Sequence, residues 1–322
     1  MDNIKIGVIG AGNMGKNHIR LTSEIPGFEL IGIFDTNPEA GLVAEKYGVR
    51  YFSDLNELFS SVEAVIIASP SSTHLPIALC AAEKGLHTFV EKPLGLNAKE
   101  ATTLCEAFQK SKSVLAVGHV EQFNPVVLEA EKILKNEEVI VINTRRFSPK
   151  DTRINDADVL QDLLIHDLDI ILNSLNKSPI KKLYANGRTV YNKVLVDYVH
   201  SILEFEDGML ATVEASRTTE DKVREIDIHT ANSFIRMDLL NKTLLITRRT
   251  NYKLDTGYSP TYRQENITER VFIPMVEPLR AELLDFLDCI RNNRQPCTDG
   301  VKALYVLKII DEMKAKIYHL EG

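Results

Sequence analysis

Three short stretches hold residue types whose spacing could do chemistry. The first is Gly10-Ala11-Gly12-Asn13-Met14-Gly15, directly after the apolar run "IKIGVIG" and at the start of an amphipathic pattern. At such a strand-to-helix turn each glycine has a task. Gly10 permits the tight turn, Gly12 lets a pyrophosphate approach the backbone, and Gly15 lets helix and strand pack closely. The N–H groups around Asn13 and Met14 and the helix dipole would then face the phosphates. The second is Asp35, which ends the next apolar run twenty residues after Gly15 and could accept hydrogen bonds from both adenosine ribose hydroxyls. A 2′-phosphate would meet that carboxylate as a like charge, and "DTNPEA" supplies no arginine. The expected cofactor is therefore NAD in preference to NADP. The third is "HTFVEKPLG" (87–95), an apolar run that stops at Glu91-Lys92-Pro93. Pro93 fixes its own φ and restricts Lys92, so the backbone sets the lysine's direction. Partial desolvation beside NAD⁺ would disfavour the protonated amine, which suits a lysine that exchanges a proton.

These residues need elements to hold them. Short Val/Ile/Leu runs at 4–10, 28–35, 64–69, 87–92 and 114–119 alternate with helical patterns near 14–24, 38–47, 54–60, 73–84 and 97–111. That alternation predicts a doubly wound parallel sheet covered on both faces. Its carboxyl ends would bring Gly10–Gly15, Asp35 and Glu91-Lys92 to one edge, with Glu91 and Lys92 expected beside the nicotinamide as cofactor contacts. "ASPSSTH" (68–74) ends the third run. There Ser72 or Thr73 could cap the helix that Pro76 helps to start, and Ser69, Pro70, Thr73 and His74 could line the cofactor crevice. For His74 a helix-start or packing role is expected before a catalytic one.

After "FNP" (123–125) the texture changes. A helix near 125–135 precedes the strand "VIVINTRRF", a polar segment at 148–157 and an apolar helical stretch at 158–174. Several strands between about 181 and 275, some parted by turns such as Asp207-Gly208, predict a mostly antiparallel sheet. Helices near 278–292 and 299–319 close the chain. The expected domains are 1–122 and 123–322, with the terminal helices able to pack back on the first.

The whole chain has 322 residues, 44% of them hydrophobic and 26% charged, as expected of a soluble globular protein with about two domains. A net charge of −7 and pI of about 5.7 argue against nucleic acid or anionic membrane as partner. No apolar run reaches transmembrane length and the first residues lack a signal-peptide layout. Cys80, Cys105, Cys289 and Cys297 are scattered, which suits reduced thiols in a cytoplasmic protein. The eight histidines show no paired ligand spacing and no GxSxG elbow occurs, so neither a metal site nor a serine hydrolase is expected.

Taken together, Gly10–Gly15, Asp35, "SPSSTH" and above all Glu91-Lys92-Pro93 resemble the Gfo/Idh/MocA oxidoreductases. The resemblance covers nearly the whole chain. It implies a Rossmann domain plus an α+β domain whose large open, mostly antiparallel sheet often makes the oligomer contact, here a homodimer or homotetramer. It also implies an aspartate and a histidine four residues apart on a helix. "VLQDLLIHDLDIIL" offers Asp162 and His166 at that spacing. At 3.6 residues per turn Asp162, His166 and Asp169 would share one face, with Leu163, Leu164, Leu168 and Ile171 providing the rest of a buried surface. Family members carry a glycine where this chain has Leu164, which implies a differently shaped pocket.

The reaction so implied is oxidation of a secondary alcohol with hydride passing to nicotinamide. His166 or Lys92 would take the hydroxyl proton, and Asp162 would position the substrate or the base. "VGHVEQFNP" and "DLLIHDLD" are similar to the subgroup that oxidises nucleotide sugars such as UDP-N-acetylglucosamine at the 3-hydroxyl. In that subgroup an arginine stands where this chain has Gln122. Arg145, Arg146, Lys150 and Arg153 in "TRRFSPKDTR" would supply cations to the diphosphate, with Arg146 the named substrate contact. Two other readings stay open. One is a dehydrogenase of free sugars or cyclitols such as myo-inositol, which needs no such cluster. The other is a non-catalytic NAD sensor, which would not need Lys92, Asp162 and His166 together.

Overall fold

The apolar runs of the first half become strands for the reason their composition suggests: branched side chains on both faces of each strand can be buried only inside a covered sheet. A computed structural model describes residues 3–150, 157–191, 194–255 and 260–319. Its contacts divide the chain into two units, Met1–Val120 with Glu277–Asp311 and Glu121–Val276 with Glu312–Gly322.

In the first unit β1 (Ile4–Ile9), α1 (Asn13–Glu24), β2 (Phe28–Phe34), α2 (Ala40–Lys46), β3 (Arg50–Phe52), α3 (Leu55–Phe59), β4 (Ala64–Ile67), α4 (His74–Glu83), β5 (His87–Glu91), α5 (Ala98–Ser111) and β6 (Leu115–Gly118) follow one another. All neighbouring strands pair in parallel in the order β3-β2-β1-β4-β5-β6. β3 is the one strand the sequence pattern did not give, because three residues are too few for a period to show. Side-chain caps start two of the helices. Asp54 accepts the Asn56 N–H, and Asn97 accepts the Glu100 N–H, each cap contributing about 1 kcal/mol.

In the second unit Asn124 caps α6 (Pro125–Leu134), whose Pro125 fits the first helical turn. β7 (Val139–Phe147) follows, then a helical segment in which α7 (Ile165–Asp169) lies between π-helical turns at Leu160–Leu164 and Ile170–Leu175. The strands β8 (Ile180–Arg188), β9 (Tyr198–Phe205), β10 (Leu210–Ser216), β11 (Val223–Thr230), β12 (Ser233–Asp238), β13 (Thr243–Asp255) and β14 (Pro260–Arg270) complete a sheet ordered β14-β13-β12-β11-β7-β10-β9-β8. Only the β7–β10 pairing among these is parallel. The turn at Asp207-Gly208, with Gly208 at φ +87°, joins β9 to β10. Ile142, Thr144 and Arg146 alternate on the buried face of β7, leaving Val141, Asn143 and Arg145 on the open one.

Helices α8 (Pro278–Asn292) and α9 (Gly300–Ile317) end the chain. α8 is part of the first unit, where fully buried Phe286 meets Phe89 of β5 edge-on at 5.9 Å. Burial of such a ring stabilises by about 1.5–3 kcal/mol. Among the described residues no helix is long and apolar enough to cross a membrane, and no cluster of three or more metal-ligating side chains forms.

Candidate active site

Strand register decides which residues of the first unit meet. Ile9 is level with Phe34 of β2 and Ile67 of β4, Ile67 with Val90 of β5, and Glu91 with Gly118 of β6. The residues that leave these strand ends are Gly10, Asp35, Ala68-Ser69 and Lys92. They line one edge at the point where the sheet order reverses, the place where parallel α/β sheets take ligands.

The loop after β1 is too tight for side chains. Gly10 has φ +96°, and a Cβ on it would lie 2.6 Å from the Ala68 carbonyl oxygen. One on Gly15 would lie 1.9 Å from the Gly10 carbonyl oxygen. Gly12 faces open space and precedes α1, which has neither a side-chain cap nor an acid in its first turn. Its first N–H groups, from Asn13 and Met14 onward, are thus left for an anion. Asp35 closes the loop from β2: Oδ2 accepts the Ala11 N–H at 2.6 Å and Oδ1 that of Asn37 at 2.8 Å. A cavity of about 380 Å³ opens here, lined by Ala11, Gly12, Lys16, Asp35, Asn37 and Glu39 among others. The uncapped helix start and the spare lone pairs of Asp35 fit a dinucleotide.

The other loop residues divide into those facing the edge and those holding it. Ser69 Oγ and Thr73 Oγ1 are 2.7 Å apart, and Thr73 donates to the Pro70 carbonyl at 2.7 Å. The hydroxyls therefore shape the 3₁₀ turn and do not cap α4, as Ser72 or Thr73 was expected to. His74 is corrected as a cofactor contact: it is 1% exposed and its ring nitrogens lie 2.8 Å from the Pro93 carbonyl oxygen and 3.0 Å from that of Ser69. Burial holds its pKa below the ordinary imidazole value against both carbonyl bonds. Glu91 is likewise turned inward, with Oε1 2.7 Å from His18 Nε2 and Oε2 accepting the Lys92 N–H at 3.3 Å. Burial would raise its pKa, but the His18 bond and the Lys92 charge bring it below the carboxylate norm. Lys92 itself is half-buried at the edge, before a cis bond to Pro93.

In the second unit the helical segment 160–175 carries four ionisable groups, Asp162, His166, Asp167 and Asp169. Asp162 and His166 lie on its half-exposed side, while Asp167 and Asp169 are 2% and 1% exposed. Asp169, expected beside His166, instead accepts Gln122 Nε2 at 2.9 Å on both oxygens and Asn173 Nδ2 at 2.8 Å. Leu163, expected in the buried surface, is half-exposed. Asp162 Oδ2 is 3.5 Å from Nη2 of Arg217, a 6% exposed residue just past β10 whose Nη1 donates to the Ala157 carbonyl.

Arg146 does not belong to a surface cluster. It is 1% exposed, donates from Nε (3.0 Å) and Nη2 (2.8 Å) to Asp167 Oδ1, and from Nη1 (3.0 Å) to Glu121 Oε1. The cause is strand parity, which turns position 146 to the helices and 145 to the open face. Burial penalises its charge, but the two carboxylates hold it protonated far above the usual range. Arg145 pairs with Glu225 on the open face, Lys150 lies over the Tyr191 ring, and Arg153 falls outside the described residues. Arg224 of β11 is the other cation of this network: its side chain is 37% exposed, with Nη1 3.4 Å from Glu121 Oε1. Sequence reasoning missed His18, Glu121, Asp167, Arg217 and Arg224. Only His18 left a signal, standing three residues after Gly15 and so on the packed face of α1.

Residues 4–119 match the model of the oxidoreductase family, NAD-binding Rossmann fold, and residues 139–235 match the Gfo/Idh/MocA C-terminal domain. The chain is 31% identical over 315 residues to a UDP-N-acetylglucosamine 3-dehydrogenase of Acidithiobacillus ferrooxidans, covering 95% of both. A solved structure of UDP-N-acetylglucosamine 3-dehydrogenase from that organism superposes with a TM-score of 0.89 over 99% of each chain, at 30% identity. A scyllo-inositol 2-dehydrogenase (NAD(+)) of Bacillus subtilis is 26% identical over 95% of this chain and 92% of its own.

Proposed function

The chain belongs to the Gfo/Idh/MocA family of oxidoreductases with an NAD-binding Rossmann fold, and from that premise we propose that it oxidises a secondary alcohol of a nucleotide sugar. The substrate proposed is UDP-N-acetylglucosamine or a close relative, oxidised at the 3-hydroxyl to the 3-keto sugar. The observation that carries the reading is the 31% identity, over 95% of both chains, to a relative of that activity. It is supported by a chain in which Lys92 stands at the sheet edge and Asp162 and His166 share the open side of a helix whose other acids are locked away. The half-exposed Arg224, facing the same buried-side network, is assigned to the anionic part of the substrate in place of Arg146.

Gly10–Gly15 and the start of α1 would hold the pyrophosphate and Asp35 the adenosine ribose, which favours NAD over NADP. When bound, the nicotinamide supplies the acceptor for the hydride that leaves the carbinol carbon. His166 takes the hydroxyl proton, since a neutral imidazole accepts one near pH 7. Lys92 donates a hydrogen bond to the same oxygen and offsets its developing negative charge. Asp162 steadies the imidazolium that results, and Arg217 fixes the Asp162 carboxylate. For the sheet of the second unit we propose contact with a second copy through its open face, where Tyr184, Ile202 and Leu210 are exposed.

The test is reduction of NAD followed by absorbance, with UDP-N-acetylglucosamine, free N-acetylglucosamine, scyllo-inositol and myo-inositol, repeated with NADP. Turnover of the UDP-sugar with NAD is expected, and Lys92→Met and His166→Asn should each lose at least 100-fold in kcat with NAD still bound. Preference for a free cyclitol rejects the substrate, and near-normal rates in both variants reject the assignment of residues.

A further inference from the structure

We propose that His18 is a positioning residue for Lys92: through Glu91 it ties the turn bearing the lysine to the helix that begins at the phosphate loop. The inference rests on the reading of Lys92 as a catalytic lysine. Its geometry lies within the first unit and comes from three elements.

From α1, His18 is 0% exposed and Nε2 lies 2.7 Å from Glu91 Oε1. Its Nδ1 meets no hydrogen-bond partner among the described residues, and the Phe89 ring packs edge-on to it at a centroid distance of 5.2 Å. A carboxylate can only accept, so Nε2 carries the proton. A bare lone pair at Nδ1 is far cheaper in this apolar setting than an unpaired N⁺–H, and His18 is accordingly a neutral donor. From β5, Glu91 uses its second oxygen on the Lys92 N–H at 3.3 Å, so the carboxylate grips the backbone of the residue it positions. From β6, Gly118 pairs with Glu91, and a Cβ there would lie 2.8 Å from Glu91 Oε2. The glycine is the space into which the carboxylate fits.

One link therefore fixes two distances at once. α1 starts where the pyrophosphate would sit, and His18 holds the lysine's turn to that same helix. A lysine displaced by about 1 Å from its working position costs on the order of 100-fold in rate, which is the size of effect a lost anchor should have. An apolar group at position 18 would take from the buried Glu91 carboxylate the donor that His18 Nε2 supplies.

The experiment compares His18→Leu, His18→Gln, Glu91→Gln and the double variant His18→Leu/Glu91→Gln with the unsubstituted enzyme. Affinity for NAD is measured by calorimetry, turnover by NAD reduction, and the His18 tautomer by ¹⁵N-histidine NMR, its signal assigned by its loss in His18→Gln. Expected are a neutral Nε2–H tautomer whose signals move in Glu91→Gln, and kcat lowered ten- to 100-fold in His18→Leu and Glu91→Gln. NAD affinity should stay within threefold, His18→Gln should regain most of the rate, and the double variant should be no slower than the slower single one. An Nδ1–H tautomer, an unchanged kcat in folded His18→Leu, or NAD affinity falling in step with kcat would overturn the inference. If His18→Leu does not fold, Glu91→Gln and the rescue by glutamine decide. If the unsubstituted enzyme turns over no sugar in the panel, it is the functional reading that fails. The inference is then judged by NMR and by the rate at which an acylating reagent modifies Lys92 in the NAD complex. A change of threefold or more is expected in Glu91→Gln, and no change overturns it.

Discussion

Arg146 and Arg224 are partners in the β7–β11 pairing, yet one is sealed and the other half open. Both reach Glu121 Oε1, at 3.0 and 3.4 Å, but Arg146 also spends two N–H groups on Asp167. Its donors are committed, and removing it would strip the buried Asp167 carboxylate of the guanidinium that holds it, at a cost of about 3–5 kcal/mol, while Glu121 would keep Asn124 and Arg224. Arg224 has donors to spare, while burial and its neighbour Arg146 together lower its affinity for the proton. An anionic substrate would relieve that repulsion. Charge-assisted hydrogen bonds contribute about 1.5–3 kcal/mol, so Arg224→Gln should raise KM for the UDP-sugar by about tenfold or more, with kcat and KM for NAD little changed. Steady-state kinetics check this, and a loss confined to kcat would reject the assignment.

At the scale of elements, β5 of the parallel sheet is braced by an imidazole near each of its ends. His74 at the start of α4 lies 2.8 Å from the Pro93 carbonyl and 3.0 Å from that of Ser69, and donates to one of them when neutral, while His87 at the start of β5 accepts the Val114 N–H on Nδ1 at 3.1 Å. Burial lowers the pKa of both. The unfolded chain then binds protons near pH 6.5 that the folded one resists. This stabilisation is full above that pH and is lost as pH falls through it toward the lower folded values. Denaturant midpoints at pH 7.5, 6.5 and 5.5 should fall accordingly, and His74→Asn should flatten the decline. An equally steep decline in that variant would show that His74 has no part in it. Glu121, held below the carboxylate norm because Arg146 and Asn124 outweigh the penalty of burial, adds a loss of the same sign only below about pH 4.5.

At the scale of the whole molecule, the second unit carries an asymmetric sheet. One face is filled by the helical segments and by residues such as Ile142, Val213 and Ile228, each 0% exposed. The other leaves Tyr184 opposite Ile202 in the β8–β9 pairing, with exposed Leu210 on the next strand. Adjacent apolar side chains on an uncovered sheet face mark an association surface, here assigned to a second copy. Light scattering or sedimentation should give a dimer or tetramer, and Tyr184→Glu with Ile202→Glu should shift it to a monomer that still binds NAD. A monomeric unsubstituted chain would reject this assignment.

Much of this was legible in the residues alone, because it depends on local pattern. Apolar runs and helical periods located five of the six parallel strands, and the glycine spacing after β1 located the turn, since only glycine tolerates a Cβ clash of 1.9 Å or a φ of +96°. What the sequence could not hold was the destination of charges. Glu91 in the "EKP" run looked like a ligand contact and proved to be bound to His18, seventy-three residues away in sequence. Arg146 looked like one of four cations gathered for a diphosphate and proved to be buried, since strand parity and Asp167 decide its side. A carboxylate or guanidinium has nearly the same local signature whether solvated or buried. Its role is set by which opposite charge the fold delivers to it, and only the tertiary structure makes that choice.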